Sequence, residues 1–261
     1  MKKLIFNIIG NGKPNLVLLH GYGFNSKIWN IIINNLKPYF NLYLIDLPGF
    51  GNNNQYYMNL EETVNTLSQN IPEKSIWMGW SLGGLVASKL SLMYPNNVIA
   101  IITVSSSPYF IQEKSWPGIS RIQLKNFYYK TKNNFLDTIE KFLLLQSGDI
   151  ANQNQIRYLI KLILLEKKPN SLALKIGFNI LNKIDLRKKI KKSSIPLLRI
   201  YGKLDTIVPY EIKNILDQYW PNTYSSILNK SAHIPFISQS HLFCQIILKF
   251  LYFLKKYKKM N

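Results

Sequence analysis

The pentapeptide Gly79-Trp80-Ser81-Leu82-Gly83 lies between two apolar runs of different period, and it limits the fold more than any other stretch of the chain. Before it, Ser75 to Met78 is short, apolar and suited to a strand. After it, Leu82, Leu85, Val86, Leu90 and Met93 recur at helical spacing as far as Tyr94-Pro95. The segment reads as strand, tight turn and helix, with Ser81 at the apex. The pattern is G-x-S-x-G, in which two glycines let neighbouring backbone come close around one strained residue. A serine held there carries its hydroxyl above the sheet. It also stands at a helix N-terminus, where unpaired N–H groups and the dipole favour negative charge on a bound carbonyl oxygen. The pentapeptide alone is also compatible with a small residue in an ordinary βα turn. Partners for Ser81 must therefore come from elsewhere in the sequence.

Strand-like runs alternate with helix-like ones, which predicts an α/β fold with a mostly parallel sheet covered on both faces. Leu16 to Leu19 reads as a buried strand entering "HGYG", and Leu42 to Ile45 as another entering "DLPGFG". A third strand is read over residues 98–108, "VIAIITVSSSP". From about Tyr109 to Asp185 the chain turns helical and mixed in polarity, with "FLDTIEKFLLLQ" and "IRYLIKLILL" as its clearest amphipathic segments. The alternation resumes with "IPLLRIYG", the helix "YEIKNILDQYW", "YSSIL" and a last helix from about His241. The expected division is a core of residues 1–108 and 186–261 and an inserted helical cap of residues 109–185. At 261 residues, one such core is an ordinary size for this class.

Composition narrows the partners. The formal charge is +20, yet the excess is almost all lysine, with Arg121, Arg157, Arg187 and Arg199 the only arginines. It accompanies abundant Asn, Ile, Tyr and Phe, whose codons are A/T-rich, so biased base composition accounts for much of the charge. No aromatic-basic stripe suggests base stacking, and nucleic-acid binding is not expected. A positive field would speed encounter with an acidic macromolecule. "MKKLIFNIIGNG" resembles a signal peptide at first but lacks a small-residue cleavage site, so an opening strand and turn is expected. No run is long enough to span a bilayer, and "KFLYFLKKYKK" is expected to dock on the sheet with its lysines solvated, not to bind a membrane. The single cysteine, Cys244, excludes an internal disulfide and suits a cytoplasmic protein, in which it would serve packing.

A nucleophilic Ser81 needs a base, an orienting acid and an oxyanion site. Of the three histidines, His20 precedes the serine, His241 opens the terminal helix, and His233 lies in a loop after the last predicted strand. In the order serine, acid, histidine, His233 is the base and His20 a structural residue of its loop. Nine carboxylates fall between Ser81 and His233. Glu113, Asp137, Glu140, Asp149, Glu166 and Asp185 belong to or flank the insertion, and Glu211 and Asp217 fall in a surface helix. Asp205 in "YGKLDTIVP" follows a strand at the carboxyl edge, where α/β sheets place their chemistry. The oxyanion donors are assigned to the backbone N–H groups of Leu82 and Tyr22, with the Tyr22 side chain lining the pocket.

The motifs "LVLLHGYG", "LIDLPGFG", "IWMGWSLGGLVAS", "TVSSSP", "WPGI", "YGKLDTIVP" and "AHIPFIS", in this order, resemble the α/β-hydrolase family through nearly the whole chain. Within it they resemble the esterases that remove the methyl group from pimeloyl-[acyl-carrier protein] methyl ester in biotin synthesis. That resemblance implies an α/β-hydrolase fold, a triad of Ser81, Asp205 and His233, and an acyl-carrier protein as partner; a monomer is expected. It implies neither metal nor organic cofactor. The chain departs from the family pattern at Tyr22, where tryptophan is usual. Of the cap's basic residues associated with the acidic carrier, Lys141 and Arg157 match two, while Asp137 and Gln153 stand at others. Trp80, Phe110 and Phe142 are candidates for the wall of an acyl tunnel, and equally for ordinary core. A broad carboxylesterase or a carbon–carbon bond hydrolase acting on free small molecules would use the same triad.

Overall fold

The computed structural model describes residues 2–71, 73–147, 153–191, 193–220 and 223–260, with the side chains of residues 153 and 257–260 outside the description. Its strands are β1 (Phe6–Ile9), β2 (Asn15–Leu19), β3 (Asn41–Ile45), β4 (Ser75–Trp80), β5 (Val98–Val104), β6 (Leu197–Gly202) and β7 (Tyr224–Leu228). They form one sheet in the order β1-β3-β2-β4-β5-β6-β7. β1 runs antiparallel to β3, and every other pairing is parallel.

Side-chain alternation sends each strand's residues to two cores. Leu16 and Leu18 of β2 join Ile32 and Leu36 of α1 (Asn30–Leu36) and Phe243, Ile247, Leu251 and Leu254 of α11 (Ser240–Met260). Val17 and Leu19 face the other way, toward Val64 and Leu67 of α2 (Leu60–Asn70) and Leu85, Val86 and Leu90 of α3 (Leu82–Met93). The sheet is thus covered on both faces, as the apolar runs predict. Cys244 is packed on the α11 side, where burial pushes its thiol up to about 12.

β5 and β6 are neighbours in the sheet, so the long segment between them adds no strand. It carries α4 (Arg121–Asn133), α5 (Phe135–Gln146), α6 (Gln153–Leu165), α7 (Ser171–Lys183) and the short α8 (Arg187–Ile190). The remaining helices are α9 (Ile212–Tyr219) and α10 (Pro235–Ser238). Two expectations need correction here. β5 stops at Val104, because Ser105 turns the chain with φ 44° and the hydroxyls of Ser106 and Ser107 bond to the Ser81 and Tyr109 carbonyls. Residues 109–120 are not helical either. They fold back on themselves through an Ile111–Ile119 bridge and a Glu113–Trp116 bridge that closes a turn at Lys114 and Ser115, with Trp116 Nε1 donating to the Tyr109 carbonyl at 2.8 Å.

The two ends of the segment are fastened together. The Leu186 N–H donates to the Pro108 carbonyl at 2.9 Å. The Arg187 guanidinium lies 4.2 Å from the Tyr109 ring centre and 4.9 Å from that of Trp116, and it pairs with Asp185 and Glu113. Hydrogen bonds from Arg187 hold the Glu113 carboxyl below the usual carboxylate range. Burial alone would raise Asp185, but the hydrogen bonds and charge of Arg187 outweigh it and lower that carboxyl as well.

Candidate active site

β4 ends at Trp80 and α3 begins at Leu82, so a single residue makes the turn. Ser81 takes φ 54° and ψ −117°, a conformation that L residues avoid because Cβ crowds the backbone. Several contacts hold it there. Its N–H donates to the Val104 carbonyl at 2.9 Å, and its carbonyl accepts from Gly84 N–H at 3.0 Å and the Ser106 hydroxyl at 2.7 Å. The flanking glycines are required by space, since a methyl group on Gly79 would overlap the Gly83 backbone and one on Gly83 the Leu19 carbonyl. Ser106 is a supporting residue that motif reading noticed only as part of "TVSSSP".

Asp205 follows β6 and His233 follows β7, 28 residues later, on adjacent parallel strands whose carboxyl ends lie side by side. His233 Nδ1 lies 2.8 Å from Asp205 Oδ2, and the two residues are only 1% and 4% exposed. The other carboxylate oxygen, Oδ1, accepts from the N–H groups of Ile207 at 2.8 Å and Val208 at 3.0 Å. The carboxylate is fixed from both sides, so it can orient the ring with Nδ1 protonated and Nε2 left to accept a proton. Trp80 braces the same loop, its Nε1 donating to the His233 carbonyl at 2.8 Å and its ring lying 5.7 Å from the imidazole.

The loop after β2 carries Tyr22 beside this pair. Gly21 lies against the Trp80 ring, where an added methyl group would come within 2.8 Å, and Gly23 has φ +81°. His20 is fully buried and holds the loop from inside. Its Nε2 accepts from the Leu47 N–H at 2.9 Å, which leaves Nδ1 to donate to the Gly21 carbonyl at 2.8 Å. Burial lowers its pKa, against the opposing charge of Asp46, so the ring is neutral in this tautomer. His241 is exposed in the first turn of α11. Neither shares the Asp205 contact.

A cavity of about 190 Å³ opens between the sheet edge and the helices above it. Ser81, His233 and Tyr22 border it, and so do all three tunnel candidates, Trp80, Phe110 and Phe142. Leu124 and Phe127 of α4, Leu181 of α7 and Ile207 of the loop after β6 extend an apolar wall that no local pattern announces, because it is assembled from three separate parts of the chain. Two polar atoms interrupt that wall, the Tyr22 hydroxyl and Gln146 Oε1, both buried without a hydrogen-bond partner among the described residues. Burial, reinforced by nearby Tyr128, pushes the Tyr22 phenol far above its ordinary value. Lys141 and Arg157 lie elsewhere, exposed on α5 and α6, and Lys141 pairs with Asp137 at 2.8 Å. Asp149 and the Gln153 side chain fall outside the described residues. Among the described residues no three His, Cys, Asp or Glu side chains come together to hold a metal ion, and no helix is long and apolar enough to cross a membrane.

Residues 14–240 match the family model of the alpha/beta hydrolase fold. The chain is 42% identical over 252 residues to a pimeloyl-[acyl-carrier protein] methyl ester esterase of Yersinia enterocolitica, covering 96% of this chain and 98% of that relative. It is likewise 42% identical over 259 residues to the protein of the same name from Hamiltonella defensa, covering 98% and 99%. Among solved structures, an esterase from Exiguobacterium antarcticum superposes with a TM-score of 0.84 at 19% identity over 95% of each chain, a likeness of fold.

Proposed function

The chain belongs to the α/β-hydrolase family, and from that premise we propose that it is a serine carboxylesterase which hydrolyses the methyl ester of pimeloyl-[acyl-carrier protein], a step of biotin synthesis. The observation that carries the chemistry is that a strained serine and a buried histidine border one apolar cavity, with a carboxylate locked against that histidine. The substrate follows from the two relatives of that name, which are similar over nearly the whole chain.

In this reading Ser81 Oγ attacks the ester carbonyl while His233 Nε2 takes the hydroxyl proton. Asp205 Oδ2 holds the Nδ1–H and stabilises the imidazolium that forms. The N–H groups of Leu82 and Tyr22 receive the developing oxyanion, and the N-terminal end of α3 adds its dipole. Collapse of the tetrahedral intermediate breaks the C–O bond, and His233 returns the proton to the departing methoxide as methanol. Water then attacks the acyl-enzyme, gives its proton to His233, and releases the free carboxylic acid with Ser81 restored. The apolar wall suits the methylene chain of a pimeloyl group, and the Tyr22 hydroxyl and Gln146 amide would orient its polar end. Residues 109–185 act as the cap over a core formed by the rest of the chain. Lys141 and Arg157 present positive charge on that cap to an acidic carrier, and a monomeric cytoplasmic enzyme goes with this reading.

The direct test is a single-turnover assay with pimeloyl-carrier methyl ester, run beside short p-nitrophenyl esters. The carrier ester should be the better substrate by kcat/KM, and Ser81→Ala should abolish its turnover. Equal or greater efficiency on the short esters would favour a broad carboxylesterase, and near-normal turnover by Ser81→Ala would remove the serine from the mechanism.

A further inference from the structure

Gly177 is the middle residue of α7. Glycine inside a helix is destabilising relative to alanine, because it has more backbone freedom to lose and no side chain to pack. Neither a turn nor a positive φ calls for it here. The reason lies in what it touches. A methyl group at Gly177 would come within 2.8 Å of Cδ2 and 3.0 Å of Cε2 of Tyr22, and within 3.5 Å of Cδ2 of Leu82. These are the two residues whose backbone N–H groups are read above as oxyanion donors, and among the described residues neither N–H meets an acceptor. One bare patch of helix thus rests on the side chains of both.

We propose that Gly177 is a positioning residue of the oxyanion site: by lacking a side chain it seats the Tyr22 ring, and so fixes where the Tyr22 N–H points in front of Ser81. This rests on the esterase reading and the donor assignment given above. The loop has little room to yield. Gly21 lies against Trp80, a methyl group on Gly23 would come within 3.1 Å of Ile139 Cδ1, and the Tyr22 ring, 5% exposed, lies 5.9 Å from that of Phe127 on α4. Helix α7 is held as well, by the close approach of Ala173 to Gly49 and by Arg121, which bonds to the Asn182 carbonyl and side chain. Carbon atoms in ordinary contact are about 3.5–4.0 Å apart, so a methyl group on α7 would push the ring edge by more than about half an ångström. A ring packed on its other sides passes that push to its own backbone. An oxyanion donor is effective only about 2.7–3.1 Å from the oxygen it serves, so the displaced N–H loses its use. Leu82, already at ordinary contact distance, is disturbed less.

The test is Gly177→Ala, assayed on a short p-nitrophenyl ester. Its kcat should fall about ten- to a hundredfold, part of the roughly 10²–10³-fold lost when an oxyanion donor is removed outright, while KM changes less than about threefold. A trifluoromethyl ketone, whose oxygen takes the oxyanion position when Ser81 adds to it, should bind more weakly by a similar factor. In the Tyr22→Ala background the seat is empty, and there Gly177→Ala should change kcat by less than about twofold, the non-additivity expected of residues in contact. Unchanged kcat in Gly177→Ala overturns the proposal, as does a rise in KM alone or an equal loss with and without the Tyr22 ring. Urea denaturation shows whether Gly177→Ala folds. If it does not, Tyr22→Ala by itself carries the test: the unseated loop should lose at least about tenfold in kcat and in affinity for the ketone, and unchanged values overturn the proposal. Labelling of Ser81 by a fluorophosphonate and hydrolysis of the ester by wild-type protein report on the esterase reading. If both fail, that reading falls and the seating falls with it; if both succeed and Gly177→Ala is fully active, the seating alone is wrong.

Discussion

Replacing Ser81 by glycine should make the protein more stable while removing its activity. The serine is held at φ 54° and ψ −117°, and a residue in so sparsely populated a conformation carries about 1–3 kcal/mol of strain. Glycine has no Cβ to crowd the backbone and relieves that strain. It also frees the unfolded chain, which offsets the gain by about 0.4–1 kcal/mol. The backbone bonds that hold the elbow, from Ser81 N–H to Val104 and from Ser106 and Gly84 to the Ser81 carbonyl, do not involve the side chain and persist. The net effect is a stabilisation of about 0.5–2 kcal/mol, or a few degrees in Tm for a chain of this size. Ser81→Ala is the essential control, because alanine loses the hydroxyl but keeps the crowding Cβ. Urea denaturation of the three proteins, with thermal scans and ester hydrolysis alongside, separates the effects. Both variants should be inactive, and only the glycine variant should gain stability. If Ser81→Gly is no more stable than Ser81→Ala, strain is not stored at the elbow and the reasoning fails.

Asp205→Asn should reduce turnover by about 10⁴-fold, since the amide oxygen will take the place of Oδ1 against the Ile207 and Val208 amides and turn its NH₂ toward His233, enforcing the wrong tautomer; a loss below tenfold would point to another orienting acid. Reversing charge at Lys141 and Arg157 together should raise the KM for the carrier ester about five- to thirtyfold more than for a small free ester, from roughly 0.5–1 kcal/mol per reversed charge, and the difference should shrink in high salt. A preference that survives the double change at low salt would show that neither residue meets the carrier. His20 bears on stability against pH. Its pKa is lowered in the folded state by burial, despite Asp46, so its contribution is whole above the unfolded value of about 6.5 and is lost as pH falls from there through the folded value. Wild-type protein should therefore lose up to about 1.4 kcal/mol per pH unit on this account in mildly acid solution, and His20→Gln should lack that slope. Equal slopes in denaturant titrations of the two proteins would exclude His20 as the source.

Much of the site could be read before any coordinates because its signals are local. A serine forced into a positive φ needs small neighbours next to it, and Gly79 and Gly83 are adjacent in sequence as well as in space. Elimination reaches Asp205 and His233, and the two lie 2.8 Å apart because strands of a parallel sheet bring their carboxyl ends to one edge, so that loops far apart in sequence become neighbours. Local signals misled where side-chain hydrogen bonds decided the backbone: "SSSP" has the composition to continue a strand, yet Ser106 and Ser107 spend their hydroxyls on the elbow and on Tyr109.

What lay beyond sequence was every feature that depends on how α4 to α7 sit over the sheet. Phe127, Leu181 and Ile207 each carry the ordinary signature of a buried apolar residue, and only the packing of their three elements makes them one wall. Phe127 and Phe142 are 15 residues apart on different helices, and their pairing depends on the crossing of α4 and α5, which no periodicity encodes. The identity of residues at i and i+4 determines which face of a helix is apolar, but the angle at which two such faces meet is set by side chains from both partners at once. The sequence alone therefore determined the elbow, the alternation of strands and helices, and which serine, histidine and carboxylate are candidates for one another's partners. Tertiary structure decided how they meet and the shape of the space in front of them, because both depend on contacts between elements far apart in sequence.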